Sequence, residues 1–90
     1  MIVGIGDAEI QTRQCIENIE RALRQAGASL DDVVRTRIYV ADIDNWQEVG
    51  TVHARYFGDI RPASTMVEVS RFISSDIMVE IEADAYLTQE

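Results

Sequence analysis

The stretch Val33-Val34-Arg35-Thr36-Arg37-Ile38-Tyr39-Val40 alternates side-chain character over eight residues, the period-two signature of a half-buried β-strand. Read in phase, Val34, Thr36, Ile38 and Val40 point one way, while Val33, Arg35, Arg37 and Tyr39 point the other. A strand with one oily face and one ionic face needs helices on the first. Its second face is left for solvent or for another chain.

The helices lie on either side of it. Upstream, Asp7 can cap a helix after Gly6, and Glu9 puts negative charge in the first turn, where the backbone dipole favours it. Cys15, Ile16, Ile19, Leu23 and Ala26 then recur on one face. Glu9 with Arg13, Glu17 with Arg21 and Glu20 with Arg24 are acid-before-base pairs four residues apart, and Gly27 ends the helix. Downstream, Asp44 and Gln47 have capping-box spacing. Trp46, Val49, His53 and Phe57 follow at three- and four-residue steps, and Gly58 closes this second helix. After Pro62, a strand sets Thr65, Val67 and Val69 toward the helices, with Ser64, Met66 and Glu68 opposite. In the last strand Val79, Ile81, Ala83 and Ala85 alternate with Met78, Glu80, Glu82 and Asp84. Strand, helix and strand with short connections predict a right-handed βαβ unit, and the final two strands are expected to pair as a hairpin. The fold class is α+β, with two helices on one face of a mixed sheet.

Ninety residues make one domain, 1–90, small enough for oligomerisation to be a natural source of stability. The net charge is −8 and all eight basic residues are arginine, which disfavours nucleic acid and anionic lipid as partners. No run of about eighteen apolar residues occurs, and no basic segment precedes an apolar one at the N-terminus. The cytoplasm is the expected compartment. Cys15 stands alone, and no Cys/His spacing suggests a metal cage. The ionic sheet face, with Arg35, Arg37, Tyr39, Ser64, Met66, Glu68, Glu80, Glu82 and Asp84, has two readings. It is a solvated surface, or a self-complementary contact around a symmetry axis.

Several segments in order carry a further signal: Gln11-Thr12-Arg13-Gln14-Cys15-Ile16-Glu17-Asn18-Ile19, Ala26-Gly27, and Leu30-Asp31-Asp32-Val33-Val34-Arg35-Thr36. Tyr39-Val40-Ala41-Asp42-Ile43, Trp46 and Tyr56-Phe57-Gly58 follow. Arg61-Pro62-Ala63, Val67-Glu68-Val69-Ser70-Arg71-Phe72 and Val79-Glu80-Ile81-Glu82-Ala83 complete the set. From about Gly4 to Tyr86 the chain resembles the Rid, or YjgF, family of reactive-intermediate deaminases, formerly labelled endoribonuclease L-PSP or translation-initiation inhibitor. The resemblance implies a chorismate-mutase-like fold and a homotrimer whose sheets line a central barrel. It also implies small-molecule clefts between subunits and hydrolysis of enamines or 2-imino acids without metal or organic cofactor. Full-length members begin with additional strands, so the expectation is an N-terminally shortened domain, either because the true start lies upstream or because the member is naturally short.

Such chemistry has plain requirements. A substrate carboxylate calls for a fixed cation, best an arginine fork. The C=N carbon calls for a water that a carboxylate positions and deprotonates. By resemblance Glu80 is that carboxylate; the competing reading pairs it with Arg35 or Arg37 on the sheet face. Ser64, Thr65 and Met66 fall in the family's ligand-binding stretch. Ser64, however, stands where deaminating members carry the substrate-binding arginine, and Met66 where many carry cysteine; a packing methionine is its alternative. Gly50 replaces an asparagine of many active members. Arg71, or Arg61, is a candidate replacement cation at the cleft rim, against a simple surface role. His53 reads as a core or boundary histidine, Cys15 as an inert thiol and Trp46 as a helix-start anchor. Two functions follow: a divergent imine or enamine hydrolase acting through Glu80, or a non-catalytic trimer that binds a small metabolite.

Overall fold

The computed structural model of the chain describes residues 2–88. Helix α1 spans Ala8–Gln25, and the Asp7 carboxylate accepts the Ile10 N–H at 3.0 Å as its cap. It ends as the sequence predicts. Gly27, at φ 84°, lets its own N–H reach the Arg24 carbonyl and that of Ala28 reach the Leu23 carbonyl, the paired closure of a Schellman motif. A short 3₁₀ turn, Leu30–Asp32, leads into strand β1, Val33–Val40. A second such turn, Ile43–Asn45, leads into helix α2, Trp46–Phe57.

One local expectation fails at α2. Asp44 and Gln47 do not form a capping box: the helix is preceded by Asn45, whose side chain makes no cap bond. The backbone there is held instead by carboxylates outside it, Asp42 accepting the Asp44 N–H and Glu68 the Ile43 N–H. Gly58 closes the helix as expected, its N–H reaching the Ala54 carbonyl in a right-handed conformation, and the chain reverses three residues later at Arg61, with φ 59°.

Strands β2, Ala63–Glu68, and β3, Val79–Ala85, flank β1 in the order β2-β1-β3. The β1-α2-β2 unit is parallel as expected. The expected hairpin of the last two strands does not form, because β3 pairs antiparallel with β1 rather than with β2. The ten-residue stretch 69–78 carries the chain across the sheet, and β1 gains a partner on both edges.

The register assigns the faces. Thr36, Ile38 and Val40 stand opposite Ser64, Met66 and Glu68 in β2, and opposite Ala83, Ile81 and Val79 in β3. The β3 phase is as predicted. The β2 phase is reversed: Ser64, Met66 and Glu68 share the helix side, and Thr65 and Val67 lie outside beside Arg37 and Tyr39. A second phase error sits at the start of β1, where the register slips between Val33 and Arg35. This bulge turns Val33 inward at 3% exposure and leaves Val34 at 52%.

Two apolar clusters join sheet and helices. Ala8, Ile38, Val40, Val49 and Val79 form one; Ile16, Leu30, Val33, Val52 and Phe57 form the other. Fully burying a side chain of this size is worth about 1.5–3 kcal/mol. No described helix is long and apolar enough to cross a membrane.

Candidate functional site

The outer face of the sheet organises its charges through Arg37. Its Nε donates to Glu82 Oε1 at 3.2 Å, and its two terminal nitrogens donate to the two Asp84 oxygens at 3.0 and 3.1 Å. The Tyr39 hydroxyl donates to the same Glu82 oxygen at 2.7 Å. These bonds favour the ionised acids. The hydrogen bond from Tyr39, then that from Arg37, holds Glu82 below the ordinary glutamate value, and the Arg37 fork does the same for Asp84. Tyr39, donating to an anion, is pushed up by that bond.

Glu80 stands apart from this cluster. It is exposed on β3 opposite Tyr39, and among the described residues it makes no ion pair. The competing reading, a pairing with Arg35 or Arg37, does not occur among the described residues: Arg37 is committed to Glu82 and Asp84. Glu80 does act on one inner group: after burial itself, its charge is the next cause that keeps the Cys15 thiol protonated. The Cys15 sulfur donates weakly to the Val79 carbonyl at 3.6 Å, in keeping with an inert thiol.

The other predicted residues divide between the two faces of β2. Thr65 lies outside and is exposed. With Arg35, Arg37, Tyr39, Ser64 and Val67 it lines a shallow depression of about 460 Å³. Met66 is half-buried against the first apolar cluster, which is the packing role. Ser64 turns inward at the exposed edge of the sheet, where its hydroxyl lies 2.7 Å from Thr36 Oγ1 and 3.3 Å from the Pro62 carbonyl. Thr36 is fully buried and reaches His53 Nε2 at 2.9 Å. The His53 ring leans on Phe57 with centroids 4.7 Å apart, and burial lowers its pKa. Arg71 is exposed in the stretch between β2 and β3, without an ion pair among the described residues. Trp46 is not buried as an anchor; it is 55% exposed, flanking a surface dip with Gln47 and Gly50.

Sequence reading missed the Ser64–Thr36–His53 chain, although its parts were visible. Thr36 sits between apolar residues on the inward face of β1, and His53 sits on the apolar face of α2. Two polar groups aimed at one core from neighbouring elements must find each other or leave a bond unmade. Every fully buried side-chain polar atom among the described residues has a partner.

Glu80 and Ser64 do not meet within one protomer. They lie on the two outer strands, separated by β1, so about 10 Å of sheet lies between them. They also face opposite sides of it. Among the described residues, no three His, Cys, Asp or Glu side chains converge as a metal site would require.

Comparison with known proteins gives this arrangement a context. The endoribonuclease L-PSP family model matches residues 1–87. A RutC family protein of Pyrococcus horikoshii is 46% identical over 81 residues, covering 90% of this chain and 64% of that protein. The chain thus spans just under two thirds of that relative's length. An Acinetobacter baylyi protein named 3-aminoacrylate deaminase RutC is 36% identical over 86 residues, 96% of this chain and 68% of its own. A crystal structure of a YjgF family member from Mycobacterium tuberculosis superposes with a TM-score of 0.89 at 60% identity, over 90% of this chain and 69% of that one. With a family match over nearly its full length and a two-helix, mixed-sheet fold to go with it, the chain belongs to the endoribonuclease L-PSP family, known equally as the YjgF, Rid or RutC family.

Proposed function

We propose that the chain is one subunit of a cofactor-free hydrolase of reactive imines or enamines, of a divergent kind. The observation that carries this reading is Glu80. Of the three outward carboxylates on β3, Glu82 and Asp84 are consumed by Arg37 and Tyr39, while Glu80 is exposed and has no ion-pair partner among the described residues. An exposed, uncommitted carboxylate can take a proton from an attacking water. Because Glu80 and the Ser64 edge lie on opposite faces, a complete cleft draws one from each of two copies, and a homotrimer provides such contacts. Closing the site between subunits would exclude bulk water and strengthen both contacts. The deaminase name of the Acinetobacter relative supports the reaction class.

Ser64 shapes the preference. It offers a hydroxyl and no charge, so binding of a substrate carboxylate is weaker than with arginine by about 2–5 kcal/mol. Substrates without a required carboxylate gain by comparison. That favours a second reading, a trimer that binds a neutral carbonyl or amide metabolite without turnover. RNA cleavage fits poorly, since a chain of net charge −8 must first overcome phosphate repulsion.

The deciding experiment is ammonia release from freshly generated 2-iminobutanoate, 2-iminopropanoate and 3-aminoacrylate. Turnover above buffer that disappears in Glu80→Gln supports the hydrolase. No turnover, together with thermal stabilisation by neutral carbonyl compounds, would favour the binding reading.

A further inference from the structure

Ser64, Thr36 and His53 form a continuous line of exchangeable protons from the sheet edge to the α2 surface. Ser64 Oγ to Thr36 Oγ1 is 2.7 Å and Thr36 Oγ1 to His53 Nε2 is 2.9 Å. Ser64 is exposed, Thr36 is 0% exposed and His53 is half-buried. The middle hydroxyl therefore has no solvent to exchange with, and its proton can move only along the line. Each hydroxyl carries one donor proton and accepts another, which is what handing a proton on requires. The far nitrogen of the ring, Nδ1, has no protein partner among the described residues, yet no buried side-chain nitrogen is unsatisfied there. Nδ1 therefore touches water. An imidazole can take a proton on one nitrogen while releasing one from the other.

We propose that His53, Thr36 and Ser64 are a proton relay that delivers a solvent proton to the substrate nitrogen at Ser64, with Ser64 the catalytic donor and Thr36 and His53 positioning residues behind it. The inference rests on the imine-hydrolase reading. In the first step water adds to the C=N carbon and gives a proton to Glu80. The π pair moves to nitrogen, which takes the Ser64 proton. Ser64 is refilled from Thr36, Thr36 from His53 Nε2, and Nδ1 takes a proton from water. In the second step the nitrogen takes the proton held by Glu80, the C–N bond breaks and ammonia leaves. The new carbonyl forms as its hydroxyl proton returns to solvent. One solvent proton enters and one leaves, so the balance is that of imine plus water giving carbonyl and ammonia. Serine in place of a fixed cation thus exchanges charge for a movable proton.

The test uses the full chain and 2-iminopropanoate. Thr36→Val keeps the shape and removes the middle hydroxyl. It is expected to lower kcat by about 10²-fold, the lower end of what a positioned acid contributes, with KM nearly unchanged. Thr36→Ser is expected to recover most of that loss. The solvent deuterium effect on kcat should show several protons in flight for the unaltered chain, and fewer for Thr36→Val. Should Thr36→Val not fold, His53→Gln replaces it, since glutamine can hydrogen-bond Thr36 but cannot pass a proton through. A kcat within about threefold of the unaltered chain for the folded variant overturns the relay alone. No turnover by the unaltered chain defeats the hydrolase reading, and the relay with it.

Discussion

Gln11, on α1, and Met78, just before β3, are 67 residues apart in sequence and joined by a 2.7 Å hydrogen bond from the Met78 N–H to Gln11 Oε1. The same amide donates through Nε2 to the carbonyls of Asp76 at 2.8 Å and Gly4 at 3.2 Å. One buried side chain thus fastens the 69–78 crossing and the N-terminal segment to the first helix, and with them the start of the strand that carries Glu80.

Replacing Gln11 with leucine keeps its bulk and strands these backbone groups. Leaving buried donors and acceptors unmade costs about 1–3 kcal/mol each where water cannot enter, so Gln11→Leu is expected to destabilise by about 3 kcal/mol. Urea unfolding at fixed protomer concentration measures it, since assembly shifts the apparent stability. A loss under about 1 kcal/mol would mean that water replaces the amide.

Much of this architecture was legible, and its gaps have physical causes. The Asp7 cap, the Gly27 stop and the span of β1 follow from local chemistry that tertiary structure did not override. The face of β2 did not. Alternation gives a strand's period but not its phase, and Ser64-Thr65-Met66-Val67 holds one polar and one apolar residue on each side, so its pattern favours neither. The bulge at Val33 was hidden for a related reason, as both Val33 and Val34 are apolar. Partner choice among strands was equally out of reach, since a hairpin and a crossing need the same residues in the strands themselves. At the site, Glu80 was identified by resemblance; its freedom from Arg37 emerges only when β3 docks beside β1. Ser64 was read as a missing arginine, and its link to His53 depends on a helix–sheet contact that no local spacing encodes.

The Arg37 cluster sets an expectation for acid titration. Glu82 and Asp84 are held below their ordinary values by Tyr39 and Arg37. A depressed folded value means that their contribution is complete above the unfolded value and lost as pH falls through the folded one. Carbon-detected NMR of the side-chain carboxylates should find both titrating below the usual carboxylate range. Arg37→Met should return Asp84 toward it, and move Glu82 less because Tyr39 still donates. Equal, unshifted titrations in both proteins would show the fork to be absent in solution.

His53 acts at milder pH. Burial lowers its folded value, so the unfolded chain binds a proton that the folded chain refuses. Stability is therefore greatest above about pH 6.5 and declines as pH drops from there toward the folded value. Urea midpoints taken near pH 7.5 and near pH 5.5 should differ more for the unaltered chain than for His53→Gln. Identical differences would mean that the ring is protonated without penalty in the folded protein.

The outer sheet face supplies the test of assembly. It presents Arg35 and the Arg37 cluster beside two exposed valines, Val34 at 52% and Val67 at 42%, and among the described residues β2 has an unpaired edge beyond it. A lone chain has little reason to keep apolar residues and an open edge together, because such edges recruit other strands. Copies of the chain packed around a symmetry axis would cover both, with positive groups meeting the carboxylates of a neighbour. Changing Arg35 and Arg37 together to glutamate removes the positive half of that pattern and sets like charge across the axis. The mass by light scattering is expected to fall from that of a trimer toward that of a single chain, while circular dichroism confirms that the helices persist. Arg24→Glu alters an exposed α1 residue whose partner among the described residues is Glu20, and should leave the mass as it is. If the double variant kept the full mass, the contact between copies would have to lie on another face, and the Glu80 cleft would need a different second wall.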